Sequence, residues 1–241
     1  MSATSTAWPK LLLTFFLLSC GSNKGKDAET TTDVAANELS GDVAAQDTDI
    51  ATPLALLSPV IRDLAQVVPS EALPQDLNIQ HANNNLDIVR HEGRLWLAFR
   101  TAPNHFANAD TVLHIVSSED EQSWRLEASF ERGTDLREPR FLSWDGRLFF
   151  YFSVLGTKPM DFEPQGIMVS EWDGERFSEP ESIYIERFIA WRTTVIDGVP
   201  YMLGYQGGEG IYDLGGAQMD LHWLTTDDGR DWHGVIPGKP V

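Results

Sequence analysis

Short apolar runs separated by turns recur along the C-terminal part of the chain. The first unit contains four runs rich in β-branched and aromatic residues, at 85–91, 94–100, 111–117 and 124–130. Runs of this length, bounded by Gly, Asn, Asp and Ser, are typical of β-strands. No helical period of 3.6 residues appears inside these units. The pattern therefore predicts an all-β domain.

Two sequence motifs repeat with nearly the same period. The glycines of RHEGRLWLAFR, SWDGRLFFYFS and VIDGVPYMLGY are Gly93, Gly146 and Gly198, 53 and 52 residues apart. The segments SSEDEQSW, SEWDGERF and TTDDGRDW begin at residues 117, 170 and 225. Four strands in a period of about 50 residues are typical of a β-propeller blade. We therefore expect a propeller domain over 79–241, with three blades at about 84–131, 137–186 and 190–237.

The segment TTDDGRDW resembles the Asp box of sialidases and related propellers, Ser/Thr-x-Asp-x-Gly-x-x-Trp. The matching residues are Thr225, Asp227, Gly229 and Trp232, and the other two segments are degenerate copies. A short acid in a tight turn accepts backbone N–H bonds, glycine adopts a positive φ, and the aromatic ring packs between blades. We therefore predict a structural role for Asp227.

The connections between the second and third strands are long, at 100–111, 153–167 and 205–220. They are predicted to lie on the same face as the starts of the inner strands, where binding residues usually collect. These segments supply ten candidate site residues: Asn84, Asn85, Asp87, His105, Arg137, Glu138, Arg140, Trp191, Arg192 and Tyr212. Their grouping predicts a pocket at the funnel mouth.

Residues 136–152, LREPRFLSWDGRLFFYF, resemble the Arg-Ile-Pro segment of sialidases and the Arg-Asp-Pro segment of five-bladed furanosidases and arabinanases. The resemblance implies that Arg137 and Arg192 bind carboxylate or hydroxyl groups, and that Asp87 and Glu138 form a catalytic carboxylate pair for glycoside hydrolysis. The match is incomplete, because Glu138 stands where sialidases have an apolar residue and the furanosidases have Asp. No carboxylate begins the third inner strand, and no Tyr-Glu nucleophile pair can be matched.

A second interpretation keeps the propeller and omits the reaction. Arginines and acids at a propeller mouth can pair with each other as a structural network. A funnel lined by Asn84, Trp191, Arg192 and Tyr212 can bind a glycan or a small acidic ligand without turning it over. A surface scaffold is the third alternative, and fold alone does not decide among them.

Other chemistries find little support in the sequence. The histidines show no metal-ligand spacing, and His114 and His222 occupy equivalent third-strand positions, which favours packing. The segment GGEGIYDLGG lacks the Lys-Ser/Thr of a phosphate loop and is interpreted as a lid-like loop. No Gly-x-Ser-x-Gly elbow occurs. We therefore expect neither a metal nor a cofactor.

The N-terminal region is typical of an exported, lipid-anchored protein. Residues 1–19 have one lysine and an apolar run, as in a signal peptide. The segment LLSC at 17–20 resembles the bacterial lipobox. The resemblance implies lipidation of Cys20 and, by similarity to Gram-negative lipoproteins, the outer membrane, on either side. The rest of 20–78 is predicted to be an acidic, flexible tether to about residue 52 and a short helix at 58–69.

Composition and charge restrict the classes of binding partner that we expect. The chain is 42% apolar with 8 Trp, enough for one sizeable packed domain, and carries a formal net charge of −18. Such a surface repels phosphate backbones and anionic headgroups, so nucleic-acid binding and polybasic membrane attachment are disfavoured. We expect membrane contact through the N-terminal lipid only.

Three blades are fewer than a closed propeller uses. Closed propellers typically contain about four to eight blades, and an open arc exposes sheet faces. We expect the sequence to be a fragment of a longer chain with a five- or six-bladed propeller. Blades supplied by a partner and a genuinely open arc are the alternatives.

Overall fold

The computed structural model describes residues 64–162, 164–207, 210–212, 216 and 218–238. Its regular structure consists of twelve strands: β1 (Ala82–His91), β2 (Arg94–Ala102), β3 (Val112–Ser118), β4 (Arg125–Phe130), β5 (Leu136–Trp144), β6 (Arg147–Val154), β7 (Gly166–Trp172), β8 (Glu181–Ile183), β9 (Phe188–Ile196), β10 (Val199–Gly207), β11 (Met219–Thr226) and β12 (Trp232–Gly234). The predicted signal peptide, Cys20, the tether and most of the lid-like loop lie outside the described residues. In the described part, no helix is long and apolar enough to cross a membrane.

The strands form three antiparallel sheets of four, each following chain order: β1 to β4, β5 to β8, and β9 to β12. We call these sheets blades 1, 2 and 3. Their first strands, β1, β5 and β9, lie beside one another at the inner side of the arc. The prediction of an all-β, incomplete propeller with four-stranded blades is confirmed.

Equivalent two-residue turns join the first two strands of every blade. Glu92-Gly93, Asp145-Gly146 and Asp197-Gly198 all have positive φ at both positions, with values between 49° and 81°. This combination matches the right-handed twist of a tight hairpin. A positive φ costs least for glycine and for short polar residues such as Asn and Asp. The repeated glycine of the sequence therefore marks these hairpins.

Two apolar cores hold neighbouring blades together. Between blades 1 and 2, the core includes Trp96 and Ile115 from one side and Phe150 and Phe152 from the other. Between blades 2 and 3, it includes Phe149, Tyr151 and Val169 against Met202, Leu224 and Trp232. Burial of this aromatic surface is the main stabilising term of the arc.

The segment before β1 packs on blade 1 without forming a helix. Residues 64–80 contain only turns, bends and irregular backbone, so the predicted helix at 58–69 is wrong over 64–69, the part that the structure describes. Val68 precedes Pro69, and a residue before proline is disfavoured in the α region. Leu73 and Leu77 nevertheless bury their side chains against Leu97 and Phe99. The segment thus covers the outer face of blade 1.

The acid that caps the turn between β11 and β12 is Asp228, one residue after the predicted Asp227. Asp228 Oδ1 accepts the N–H groups of Arg230 and Asp231 at 2.7 and 2.8 Å. Thr226 Oγ1, rather than Thr225, accepts the N–H of Gly229 at 3.0 Å. The Asp227 side chain is exposed, and none of the described hydrogen bonds involves it.

The same turn recurs in the other blades. Asp120 Oδ1 accepts the N–H groups of Gln122 and Ser123, and Asp173 Oδ1 accepts those of Glu175 and Arg176. In all three eight-residue segments this acid occupies the fourth position. The backbone bonds lower the pKa of Asp120 to about 2 and also lower the pKa of Asp173 and Asp228.

These lowered pKa values make stability depend on acid pH. Each carboxylate contributes stability above its unfolded pKa, and this contribution is lost as pH falls through the folded pKa. We expect the wild-type melting temperature to decrease between about pH 4 and 2, and the decrease to be smaller in Asp228→Asn. Asp227→Asn is the matched control and should follow the wild-type curve. A larger change in Asp227→Asn than in Asp228→Asn would contradict this assignment.

Gly229 and Trp232 pack the third turn against blade 2. Gly229 has φ +80°, and a Cβ atom there would overlap the Phe149 ring. Its carbonyl accepts the Tyr151 hydroxyl at 2.8 Å, and the buried Trp232 ring meets Tyr151 edge to face. The Trp232 ring thus lies between blades 2 and 3.

Gly229→Ala should destabilise the domain by about 1 to 3 kcal/mol through overpacking, in addition to the cost of a positive φ. Gly146→Ala is the control, because Gly146 also has a positive φ of 71° but has nothing within 4 Å of an added Cβ. Denaturant unfolding of both variants isolates the clash with Phe149. Equal losses in the two variants would exclude a contribution from that ring.

Candidate functional site

A β-bulge occurs at the same place in the inner strand of every blade. The register of β1 shifts around Asn85, that of β5 shifts between Arg137 and Arg140, and that of β9 shifts around Trp191. Asn85, Glu138 and Trp191 are spaced by 53 residues, and Asn85 and Glu138 have positive φ. Bulges redirect side chains and are common next to functional sites.

The three bulge residues line one open cavity of about 430 Å³. Its other lining residues come from two inner strands, from β10 and from the long connections: Arg137, Ile189, Tyr205, His105, Leu155, Met160, Phe162 and Tyr212. Six of the ten candidate residues therefore meet here: Asn85, His105, Arg137, Glu138, Trp191 and Tyr212.

Glu138 is the only carboxylate among the described residues that line this cavity. Its Oε1 accepts the Asn85 amide at 2.5 Å, and its Oε2 accepts Arg140 Nη2 at 2.7 Å. Arg140 Nε also donates to the carbonyl of Trp191 at 2.6 Å. Arg140 therefore acts behind the cavity, where it joins the bulges of blades 2 and 3 and fixes the Glu138 carboxylate.

A buried ionic cluster supports the other side of the cavity. Asp135 Oδ1 accepts Arg100 Nε at 3.0 Å, Arg100 Nη2 at 2.7 Å and the Thr111 hydroxyl at 2.8 Å. Asp135 Oδ2 accepts Arg137 Nε, and Arg137 also donates to the carbonyl of His105. The side chains of Arg100 and Asp135 are fully buried. Burial lowers the pKa of Arg100, and the charge of Asp135 opposes this effect.

Aromatic rings form much of the cavity wall. Phe162 lies below the Arg137 guanidinium, whose Cζ is 4.9 Å from the ring centroid. Tyr205 and Tyr212 share a hydrogen bond between their hydroxyls. Burial raises the pKa of both phenols, so they stay protonated near neutral pH. Trp191 is 52% exposed, and its ring centroid lies 6.0 Å from that of Tyr205.

Asp87 does not join Glu138 in the cavity, so the predicted catalytic pair is not assembled. Asp87 lines a separate groove with Phe141 and Arg192. Its Oδ2 accepts the Phe141 N–H at 2.6 Å, and the Thr193 hydroxyl donates to the carbonyl of Phe141 at 2.6 Å. Burial raises the pKa of Asp87, although the bond from Phe141 acts in the opposite direction. Asp87 therefore links the inner strands β1 and β5.

Two further candidates lie away from the cavity lining. Asn84 Oδ1 accepts Arg100 Nη1 at 3.3 Å, and its amide lies 3.1 Å from His105 Nδ1, so Asn84 supports the loop that carries His105. Arg192 is exposed in the groove of Asp87. The predicted direct binding roles of Asn84, Arg140 and Arg192 therefore do not match their positions.

The prediction from sequence missed five lining residues: Leu155, Met160, Phe162, Ile189 and Tyr205. Met160 and Phe162 belong to a connection identified as long, but nothing in the sequence showed which of its residues face inward. His114 and His222 are buried in β3 and β11, as expected of packing residues. No group of three metal-ligating side chains occurs among the residues that the structure describes.

Comparison with known proteins gives structural neighbours only. The sequence matches no protein-family model, and no curated protein matches it as a relative. Similar solved structures include a family 117 glycoside hydrolase of the marine bacterium Zobellia galactanivorans, with 11% identity, a TM-score of 0.45, and coverage of 66% of this chain and 56% of that one. A GH43 endo-arabinanase from Bacillus licheniformis has 16% identity and a TM-score of 0.39, with 62% and 53% covered.

An exo-1,5-alpha-L-arabinanase from a bovine ruminal metagenomic library has 11% identity and a TM-score of 0.45, with 70% and 59% covered. The chain thus spans between 53% and 59% of the length of these three proteins. Likeness at this level bears on chain path alone and carries no argument about substrate. One fold can host many unrelated functions, so the function depends on the residues that line the cavity.

Proposed function

We propose that the protein is a carbohydrate-binding propeller whose ligand occupies the cavity formed by the three bulges. The observation that carries this proposal is the convergence of Asn85, Glu138 and Trp191, one from each blade, on a cavity with a Tyr205 and Tyr212 wall. Ligand sites are typically concave and mostly apolar, with a few fixed polar groups.

The chemistry of these groups suits a sugar ring. The face of an aromatic ring carries partial negative charge, which attracts the C–H groups on one face of a pyranose or furanose. Trp191 offers such a face because half of its surface is exposed. Glu138 can accept hydrogen bonds from sugar hydroxyls, and charge-assisted bonds of this kind are the stronger ones.

A small acidic group on the ligand also has a partner. The hydrogen bonds of Arg137 to Asp135 and His105 use Nε and Nη2. Within the described residues, Nη1 is left without a protein acceptor. Arg137 can therefore donate a hydrogen bond from Nη1 to a carboxylate or a hydroxyl of the ligand. The proposal covers neutral and acidic glycans on this basis.

Binding without hydrolysis is the activity favoured by the described residues. Most glycosidases use two carboxylates that flank the scissile bond. Glu138 alone lines the cavity among the described residues, and Asp87 faces another groove. Hydrolysis would need a second carboxylate from residues outside the described set or from further blades.

A glycan array probed with the purified full chain tests this proposal. We expect a restricted set of oligosaccharides to bind, and this binding to require intact Trp191. Aryl glycosides incubated with the same protein should stay uncleaved. Absence of binding to any glycan would overturn carbohydrate recognition, whereas turnover of an aryl glycoside would replace binding by catalysis.

We also propose that the protein is exported and attached to the outer membrane through a lipid on Cys20. Support comes from the sequence of residues 1–20 and from the acidic segment that follows. Such a tether would hold the cavity away from the bilayer. Incorporation of labelled palmitate into wild type, and its loss in Cys20→Ser, tests this attachment.

A further inference from the structure

Exposed apolar side chains continue from the cavity across the long connections. Phe106 is 47% exposed, Met160 72% and Tyr212 50%. The Phe162 ring lies among them, with its centroid 6.5 Å from that of Phe106 and 6.1 Å from that of Tyr212. Met160, Phe162 and Tyr212 line the cavity, whereas Phe106 lies outside the lining. We call Phe106, Met160 and Phe162 the apolar rim.

The apolar rim forms where the connections of blades 1 and 2 meet. Phe106 belongs to the connection of blade 1 and Tyr212 to that of blade 3, and both rings reach Phe162 of blade 2. The Ala107 N–H also donates to the carbonyl of Pro159 at 3.3 Å, which joins the connections of blades 1 and 2. Blade 2 has a blade on each side in the structure. The exposure of Phe106 therefore belongs to the face that carries the cavity, and not to an end of the arc.

The backbone around Phe106 is fixed by two arginines, which bind three consecutive carbonyls. The carbonyl of Asn104 accepts Arg100 Nη1 at 3.3 Å, and that of Phe106 accepts Arg100 Nη2 at 3.1 Å. The carbonyl of His105 accepts Arg137 Nη2. The Phe106 N–H donates to Asn104 Oδ1 at 2.9 Å. Because Arg100 is fully buried, this part of the connection is anchored to the interior of the domain.

This anchoring prepares the Phe106 ring for contact with a ligand. A loop that is already fixed in its bound conformation costs less ordering entropy when a ligand binds. The anchoring bonds of Phe106 use its backbone N–H and carbonyl, so its side chain takes no part in them. Contiguous exposed apolar surface next to a cavity is typical of a ligand-binding groove. The half-exposed ring is therefore held in place and remains available.

The size of the cavity determines which ligands reach the apolar rim. Its volume of about 430 Å³ lies near the lower end of the range for ligand sites, roughly 300 to 1,000 Å³. A ligand that contacts Trp191 and Glu138 and contains several sugar units therefore continues beyond the lining. Next to the lining residues His105 and Phe162, the surface that such a chain meets is the Phe106 ring.

We infer that the ligand is an oligosaccharide whose chain leaves the cavity over the apolar rim, where Phe106 packs on a further sugar unit. This inference rests on the proposed carbohydrate binding in the cavity and adds a preference for chains over single sugars. The partial negative charge on the face of the Phe106 ring attracts the C–H groups of a sugar ring, as it does at Trp191. Trp191 then contributes to the binding of every chain length, whereas Phe106 contributes only to the binding of longer chains.

A glycan array that carries each glycan in a series of lengths, from the monosaccharide upward, tests this inference with the purified full chain. We expect the wild type to bind the longer members about 5- to 30-fold more tightly, as for partial burial of one aromatic side chain. Phe106→Ala should lose this gain and bind every length like the shortest member that binds. Leu126→Ala is the matched control, since Leu126 is a partly exposed apolar residue of β4 outside the cavity lining. The control should keep the length dependence of the wild type.

Two conservative variants cover the case in which Phe106→Ala fails to fold. Phe106→Tyr keeps the aromatic ring and should keep the length dependence, whereas Phe106→Leu removes the ring and should lose most of it. Wild-type binding that does not depend on chain length would overturn this inference and leave carbohydrate binding in the cavity intact. A loss in Phe106→Ala that is equal at every length, or no loss at any length, would also overturn it. Absence of wild-type binding to any glycan would overturn the proposed function together with this inference.

Discussion

Asp135→Asn is expected to lower the free energy of unfolding by about 3 to 5 kcal/mol, the typical cost of breaking a buried ion pair. Asp135 is the only carboxylate that contacts Arg100 and Arg137 among the described residues. Without its charge, the guanidinium of Arg100 remains fully buried with no ionic partner. The penalty is large because two arginines depend on one acid.

Chemical denaturation monitored by tryptophan fluorescence measures this loss. Asp145→Asn is the control, because Asp145 is exposed in a hairpin turn where asparagine also tolerates a positive φ. The control should change stability by less than about 0.5 kcal/mol. A loss below about 1 kcal/mol in Asp135→Asn would mean that the cluster is not a structural centre of the domain.

Trp191→Ala is expected to weaken glycan binding by about 10- to 150-fold. This range corresponds to about 1.5 to 3 kcal/mol for burying a large apolar side chain against a ligand. Stability should change little, because half of the Trp191 surface is exposed without a ligand. Isothermal titration calorimetry with the glycan selected on the array gives the ratio of dissociation constants.

Trp223→Ala is the matched control for this binding experiment. Trp223 is a tryptophan of similar exposure, 43%, and it lies in β11 outside the cavity lining. Its removal should leave the affinity of each binding site within about twofold of wild type. Equal losses in the two variants would contradict the assignment of the sugar to the cavity.

The repeat in the sequence predicted the blades because it records the hairpins directly. Glycine at positive φ leaves a clear signal at 93, 146 and 198. Asp227 and Asp228 stand in the same turn, and only Asp228 accepts the backbone N–H groups of that turn. The signal was present, because Asp120 and Asp173 occupy the fourth position of their segments, as Asp228 does.

Six of the ten candidate residues line the bulge cavity, and four do not. Asn85, Glu138 and Trp191 occupy the same bulge but differ in chemistry, so no shared residue type marks the position. Asp87 lies six residues before the turn glycine of its blade, as Arg140 and Arg192 do in theirs. Its side chain binds the neighbouring backbone instead of the cavity, because the bulge of β1 comes before it. Strand register, which sequence does not give, decides this difference.

The aromatic residues of the cavity wall could also be predicted from the sequence only in part. Tyr205 pairs with Leu221 inside blade 3, and its hydroxyl reaches Tyr212 in the following connection. Tyr212 was predicted to bind because it stands inside a long connection, whereas Tyr205 stands at the boundary of strand and connection and was not among the candidates. The contact between them depends on the path of that loop, which no periodicity reports.

A crystal structure of the full chain with the glycan selected on the array tests most directly where the ligand binds. We expect a sugar ring packed on Trp191, with a hydroxyl within about 3.2 Å of the Glu138 carboxylate. Glycan density in the Asp87 and Arg192 groove, or on the outer face of any blade, would contradict the central claim that the three bulges build the binding site.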